Sequence, residues 1–155
     1  MHEQFLQQAI ELAVQNVTTG EGGPYGAVIV KDGQVIAACA NKVTATVDPT
    51  AHAEIMAIRR ACRHLNDFQL HGCILYSSCE PCPMCLGAIY WARLSKVYYA
   101  CDREQAAAAG FDDSFIYDEI AVPPAQRHIS MLQLNLRDAC RPFERWNDKA
   151  DKLMY

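Results

Sequence analysis

Two short segments constrain this chain more than anything else in it: His52-Ala53-Glu54 and, far downstream, Pro81-Cys82-Pro83-Met84-Cys85. The first offers an imidazole nitrogen and a carboxylate two residues later. The second offers two thiols three residues apart, directly after a proline. Together they supply three ligands for one zinc ion and no evident fourth. A structural zinc is normally closed by four protein ligands, whereas a catalytic zinc keeps one position for water. Whatever the fold, it has to carry these two segments to a common point.

The local pattern says how. From Ala51 to Leu65, Ile55, Ile58, Cys62 and Leu65 recur as one apolar stripe while Arg59, Arg60 and Arg63 fall elsewhere. That spacing predicts a helix, with Thr50 as its cap. Pro83 to Ala92 reads as a second helix, because proline is tolerated in a first turn. Both motifs therefore sit where a helix begins. In a helix interior, residues two apart point in nearly opposite directions. In a first turn both can reach forward past the helix end, so His52 can bind metal while Glu54 serves its water as a proton shuttle. Cys82 and Cys85 share one face of their turn. The partial positive charge at both helix N-termini favours thiolates there.

Phe5, Leu6, Ala9, Ile10, Ala13, Val14 and Val17 predict an opening helix that stops at Gly20, and Gly22-Gly23-Pro24 predicts a turn. Ala27 to Val30 and Gln34 to Ala38 flank Lys31-Asp32-Gly33, a hairpin with an Asp-Gly turn. A polar loop from Asn41 to Pro49 follows. Further strands are predicted at Cys73 to Ser77, Val97 to Ala100 and His128 to Leu136, and a helix at Arg103 to Ala109 stopped by Gly110. Phe111-Asp112-Asp113-Ser114-Phe115 reads as a loop. A last amphipathic helix opens at Pro142 and runs through Phe143, Trp146, Ala150 and Leu153. The expected architecture is α/β, one domain over residues 1–155 with three α/β/α layers on one mixed five-stranded sheet. In it the early hairpin is antiparallel and the later strands are parallel.

Composition narrows the class of partner. The chain is 51% apolar and 21% charged, with a formal net charge of −4. Grip on many phosphates usually brings a basic surplus, so the balance argues for a small substrate and against nucleic acid. Met1-His2-Glu3-Gln4 is polar and acidic where a signal peptide would be basic and then apolar. Runs such as Val35 to Ala40 and Ala88 to Ala92 are too short to cross a membrane. With no export signal, the eight cysteines read as metal ligands plus buried free thiols, which places the protein in the cytoplasm.

Taken singly, the motifs are ambiguous. A lone His-x-Glu is common by chance, and a lone Cys-x-x-Cys can be redox-active or part of a closed zinc site. Cys79-x-x-Cys82-x-x-Cys85 would also suit a four-ligand site or an iron–sulfur cluster. Because the second helix start claims Cys82 and Cys85, Cys79 is read as a buried thiol. A non-catalytic zinc module is the rival of a different class, and Glu54 weighs against it.

Joined in this order, the motifs resemble the zinc-dependent base deaminases of the cytidine deaminase superfamily and, within it, the bacterial guanine deaminases. The segments 22–30, 48–54, 78–85 and 109–115 carry the likeness, and within them Phe111-Asp112-Asp113-Ser114-Phe115, with the terminal Tyr155, carries the narrower one. The resemblance implies hydrolysis of guanine, a small purine base, to xanthine and ammonia. It implies one zinc per chain on His52, Cys82 and Cys85, and proton transfer by Glu54. Asn41 then matches a base-binding asparagine, and Asp113 an acceptor for the ring N–H edge. Tyr155 matches a residue that closes the other subunit's site, which implies a homodimer with an exchanged tail of about residues 142–155.

On the residues alone, Asn41 reads first as a turn residue and Tyr155 as a frayed end, while Asp113 serves equally as solvated loop charge. Trp91, at the end of the second motif helix, is a candidate to line the pocket or to pack in the core. Tyr25 stands where the resemblance expects phenylalanine, so its hydroxyl would alter the pocket rim. Deamination of another base, including adenosine in transfer RNA, is the alternative activity.

Overall fold

The Asp-Gly turn organises the sheet. Asp32 and Gly33 both take positive φ, 50° and 79°, the turn geometry that matches the twist of a two-residue hairpin. In the computed structural model, which describes residues 1–155, this turn joins β1 (Gly26–Lys31) to β2 (Gln34–Ala40) as an antiparallel pair. On its other edge β1 pairs antiparallel with β3 (Cys73–Cys79), and β3 pairs parallel with β4 (Lys96–Cys101). The strand order is β2-β1-β3-β4.

Strand periodicity then assigns the layers. Val28 and Val30 point to one face and pack with Tyr76 against Phe5 and Ala9 of α1 (His2–Thr18). Ala27 and Ile29 point to the other, where Leu75 joins them. That face meets Ala53, Ala57, Ile58 and Ala61 of α3 (Ala53–Leu65) and Ile89 of α4 (Pro83–Trp91). A short α2 (Val43–Thr46) lies in the loop before α3. Residues 26–30 are all buried, as expected for a strand covered on both sides. Each fully buried Val, Ile or Leu contributes about 1.5–3 kcal/mol.

The packing of α1 on β1 leaves no room at Gly26. A Cβ there would stand 2.1 Å from the Ala9 carbonyl oxygen and 2.9 Å from the Ala13 nitrogen. Both are helix backbone, which cannot swing aside. Gly26→Ala is therefore expected to destabilise the protein by about 3 kcal/mol, lowering Tm by about 6–12 °C. An unchanged melting curve would contradict so close a helix–strand contact.

Several elements depart from expectation. Thr50 is not the cap of α3. Its N–H and hydroxyl both donate to Asp48 Oδ1, at 2.8 and 2.7 Å, and His52 takes the N-cap position instead. On α3 the small residues Ala57 and Ala61 are buried, while Cys62 and Leu65 pack at the edge of that core. The loop expected at 111–115 is shorter, because a helix already begins at Ser114. α5 (Arg103–Ala108) carries a capping box between Asp102 and Gln105 and ends just before Gly110, whose φ is +94°.

The chain divides into two compact units, Met1–Asp113 and Ser114–Tyr155. The second unit holds α6 (Ser114–Ala121), a 3-10 turn (Pro124–Gln126) and α7 (Arg141–Asp148). The sheet has four strands and not the expected five, because residues 128–136 form no strand. The alternation of Leu132, Leu134 and Leu136 suggested one, yet all three are exposed. The segment's backbone bonds are local: His128 N–H donates to Glu119 Oε2 at 2.7 Å and Met131 N–H to the Pro124 carbonyl at 3.1 Å. α7 is also shorter than expected. Lys149 turns extended (φ −74°, ψ 117°) and leaves Ala150 and Leu153 beyond the helix. No helix is long and apolar enough to cross a membrane.

Candidate active site

His52 and Cys82 stand at equivalent places. Each is the N-cap of its helix, with φ −64° in both and ψ of 153° and 168°. Each carbonyl accepts the first helical bond, from Met56 at 2.9 Å and from Leu86 at 2.8 Å. Extended backbone at the cap throws the side chain beyond the helix end, and the two ends face each other. His52 Nδ1 lies 3.5 Å from Cys82 Sγ and 3.5 Å from Cys85 Sγ. All three ligand atoms fall within 4.8 Å of one another.

This donor set fits zinc. With Zn–S near 2.3 Å and Zn–N near 2.0–2.1 Å, a tetrahedral arrangement requires N···S separations of about 3.5 Å, which the side chains already have. Cys79 is not a member of the cluster. Its Sγ points to the Asp102 carbonyl at 3.6 Å, and burial, then the neighbouring Cys101, pushes its thiol up to about 11. It behaves as the buried thiol that the sequence suggested.

The electrostatics are those of a site prepared for a cation. A hydrogen bond from Cys85 and a further one from His52 hold the Cys82 thiol down to about 4, against the opposing effect of burial. Cys85 is pushed far up by its bond to Cys82 and by burial. The bond to Cys82 raises the His52 pKa, with burial opposing. A divalent cation would compete with protons for these three ligands.

Glu54 lies beside the cluster, only 4% exposed. Ser77 Oγ donates to its Oε1 at 3.4 Å. Burial drives its pKa up, opposed by its own backbone N–H and by His52. A carboxyl that holds its proton more readily than usual, yet touches the metal-ligand cluster, suits proton transfer. Ser77 escaped the sequence reading. The available signal was a pair of serines, Ser77-Ser78, ending an otherwise apolar strand just before the cysteine motif; Ser78 Oγ accepts the Gly26 N–H at 3.0 Å.

Two further candidates, Tyr25 and Asp113, lie near enough to feel the charge of Cys82, and Asn41 is bonded to Tyr25. Tyr25 meets Phe111 edge-on at 5.3 Å. Burial raises its pKa first, followed by the charges of Cys79, Glu54, Asp113 and Cys82. Burial likewise raises the Asp113 pKa, with Cys82 adding to it and Arg103 opposing. Asn41 is buried, and its N–H donates to the Tyr25 carbonyl at 3.0 Å. Its Oδ1 accepts from Gly23 N–H at 3.4 Å and Val43 N–H at 3.2 Å.

Trp91 is the last residue of α4. It is 63% exposed, which also removes the core-packing alternative, and Arg93 lies over its ring at 5.9 Å. Tyr155 belongs to the second unit, where it is exposed.

Residues 1–101 match the cytidine and deoxycytidylate deaminase zinc-binding region. The chain is 56% identical over 154 residues to the guanine deaminase of Bacillus subtilis, covering 99% of each protein. It also matches an X-ray structure of that enzyme with a TM-score of 0.99, over 100% of this chain and 99% of that one. A tRNA-specific adenosine deaminase of Aquifex aeolicus is 46% identical over 98 residues, 63% of this chain and 64% of that protein. With its ligand cluster shaped for zinc and a buried carboxyl beside it, the chain belongs to the cytidine and deoxycytidylate deaminase family.

Proposed function

We infer that the protein hydrolyses guanine to xanthine and ammonia. The observation that carries this reading is the extent of the likeness to a guanine deaminase, which continues through 99% of both chains. The adenosine deaminase likeness spans 63% of this one.

His52, Cys82 and Cys85 would hold one zinc ion, which when bound supplies a Lewis acid that makes water acidic near neutral pH. Glu54 takes a proton from the attacking water and delivers it to the ring nitrogen beside the amino-bearing carbon. It then carries the second proton to the departing amine. Ser77 holds the carboxylate in place through Oε1. Asn41 offers its NH2 to an acceptor on the base, and Asp113 accepts from the ring N–H edge. Tyr25 forms the rim, where its hydroxyl replaces a bare ring edge.

The test is zinc-loaded protein assayed with guanine, adenine, cytosine and transfer RNA. Xanthine and ammonia from guanine are expected. No xanthine at micromolar enzyme would refute the activity, and preferential turnover of transfer RNA would replace it with the alternative.

The second unit supports a further part of the reading, a homodimer that exchanges tails. No residue of 114–155 is buried, and Ile129, Leu132, Leu134, Leu136 and Phe143 are all exposed. Apolar surface on that scale marks an interaction site, and a second copy is the occupant that the family resemblance implies. Tyr155 would then close the partner's pocket. Eight free thiols are compatible with a cytoplasmic protein.

Exchange makes a distinctive prediction. Glu54→Gln with an intact tail and a variant lacking residues 153–155 with an intact Glu54 should each be nearly inactive. Co-expressed, they should recover about a quarter of wild-type activity, because half of the dimers are mixed and each has one complete site. No recovery in mixed dimers isolated by two affinity tags would mean that Tyr155 does not act in the partner's site.

A further inference from the structure

Asn16 sits on α1, across the sheet from the zinc ligands, and is only 3% exposed. Its Nδ2 donates to two carbonyls from different parts of the chain, Gly23 at 2.9 Å and Asn41 at 2.9 Å. Both amide hydrogens are thereby used. Its own carbonyl accepts from Glu21 N–H at 3.0 Å. The fit around this amide is tight: a Cβ on Gly22 would stand 2.4 Å from the Asn41 oxygen and 2.8 Å from Asn16 Nδ2. From Asn41 the connection continues inward. The Asn41 N–H bonds the Tyr25 carbonyl, and the Lys42 N–H bonds Ala51, next to His52, at 2.9 Å.

We propose that Asn16 is a positioning residue for base recognition, clamping the Gly22–Tyr25 turn to Asn41 so that the Asn41 NH2 and the Tyr25 ring hold their places at the pocket. This rests on Asn41 binding the base, as argued above. Asn16 touches no substrate. It acts because its one amide bonds both the segment before β1 and the segment after β2, reinforcing the direct bonds that Asn41 makes to Tyr25 and Gly23. When that amide is lost the two can shift against each other, and displacement by about 1 Å is enough to cost a large factor in rate or binding.

The test compares Asn16→Ala, Asn16→Ser, Asn41→Ala and the double alanine variant as zinc-loaded full-length protein, with guanine as substrate. Asn16→Ala is expected to keep one zinc per chain and to raise KM at least about tenfold while kcat stays within about threefold. Asn16→Ser, with a shorter donor, should lie between it and wild type. In the Asn41→Ala background, Asn16→Ala should change kcat/KM by a smaller factor than it does in wild type, the non-additivity of residues that act in part through one another. An unchanged KM, losses that multiply in the double variant, or unfolding of both Asn16 variants would overturn the proposal. Wild-type protein inert toward guanine overturns the activity and this role with it, and Asn41→Ala at wild-type KM overturns the reading of Asn41.

Discussion

Glu54→Gln protein is expected to bind one zinc per chain and to turn guanine over at least about a hundredfold more slowly than wild type. The amide has nearly the same shape and can still accept the Ser77 hydroxyl, so the fold should be undisturbed. Burying a neutral amide where a carboxyl stood, at 4% exposure, leaves no charge to solvate. What is lost is the capacity to take a proton and give it back. The defect should therefore fall on kcat with KM little altered, as for an interaction made in the transition state. Steady-state kinetics together with metal analysis checks both halves. A variant that keeps its kcat would show that protons move by another route.

Cys82→Ala and His52→Ala should fail differently, by losing the metal. Three ligands leave little reserve, and removing one takes away an anchor on which the facing helix starts depend. Zinc content is expected to fall below about one-tenth per chain at purification. The protein should also lose the stability that zinc adds to the native state, about 4 kcal/mol at a thousandfold excess over Kd, or about 8–16 °C in Tm. Chelator-treated wild type should melt at the same temperature as the variants. Cys79→Ser is the control, with full zinc content, because that sulfur bonds the Asp102 carbonyl at 3.6 Å and lies outside the cluster. Full zinc in Cys82→Ala would refute the ligand assignment.

The metal centre was legible in the sequence because it depends on local rules. Pro83 marks a first turn, the cysteine spacing puts two sulfurs on one face, and His-x-Glu works as a pair only at a helix start. The hairpin was legible for the same reason, through Asp32-Gly33. The cap of α3 was misplaced because Asp48 competes for Thr50's hydroxyl and amide, which shifts the helix start to His52. The missing fifth strand reflects a different limit. Alternating leucines describe a surface to be covered, but a strand also needs an edge to bond, and that is a property of the rest of the chain. Asn16 was invisible for a related reason. Its partners lie 7 and 25 residues away, and nothing within α1 separates a buried clamp from a solvated asparagine.

The hairpin carries Tyr25 just ahead of β1 and Asn41 just behind β2, whereas the metal ligands ride on α3 and α4. Under the proposed roles, reactivity and base recognition by the hairpin flanks are borne by separate stretches of polypeptide. Such an arrangement invites retargeting: libraries randomised at 23–25 and 41–43 can be screened on other aminated heterocycles without disturbing the hydrolytic apparatus. Gly22 and Gly26 have to be spared, since neither has space for a larger residue.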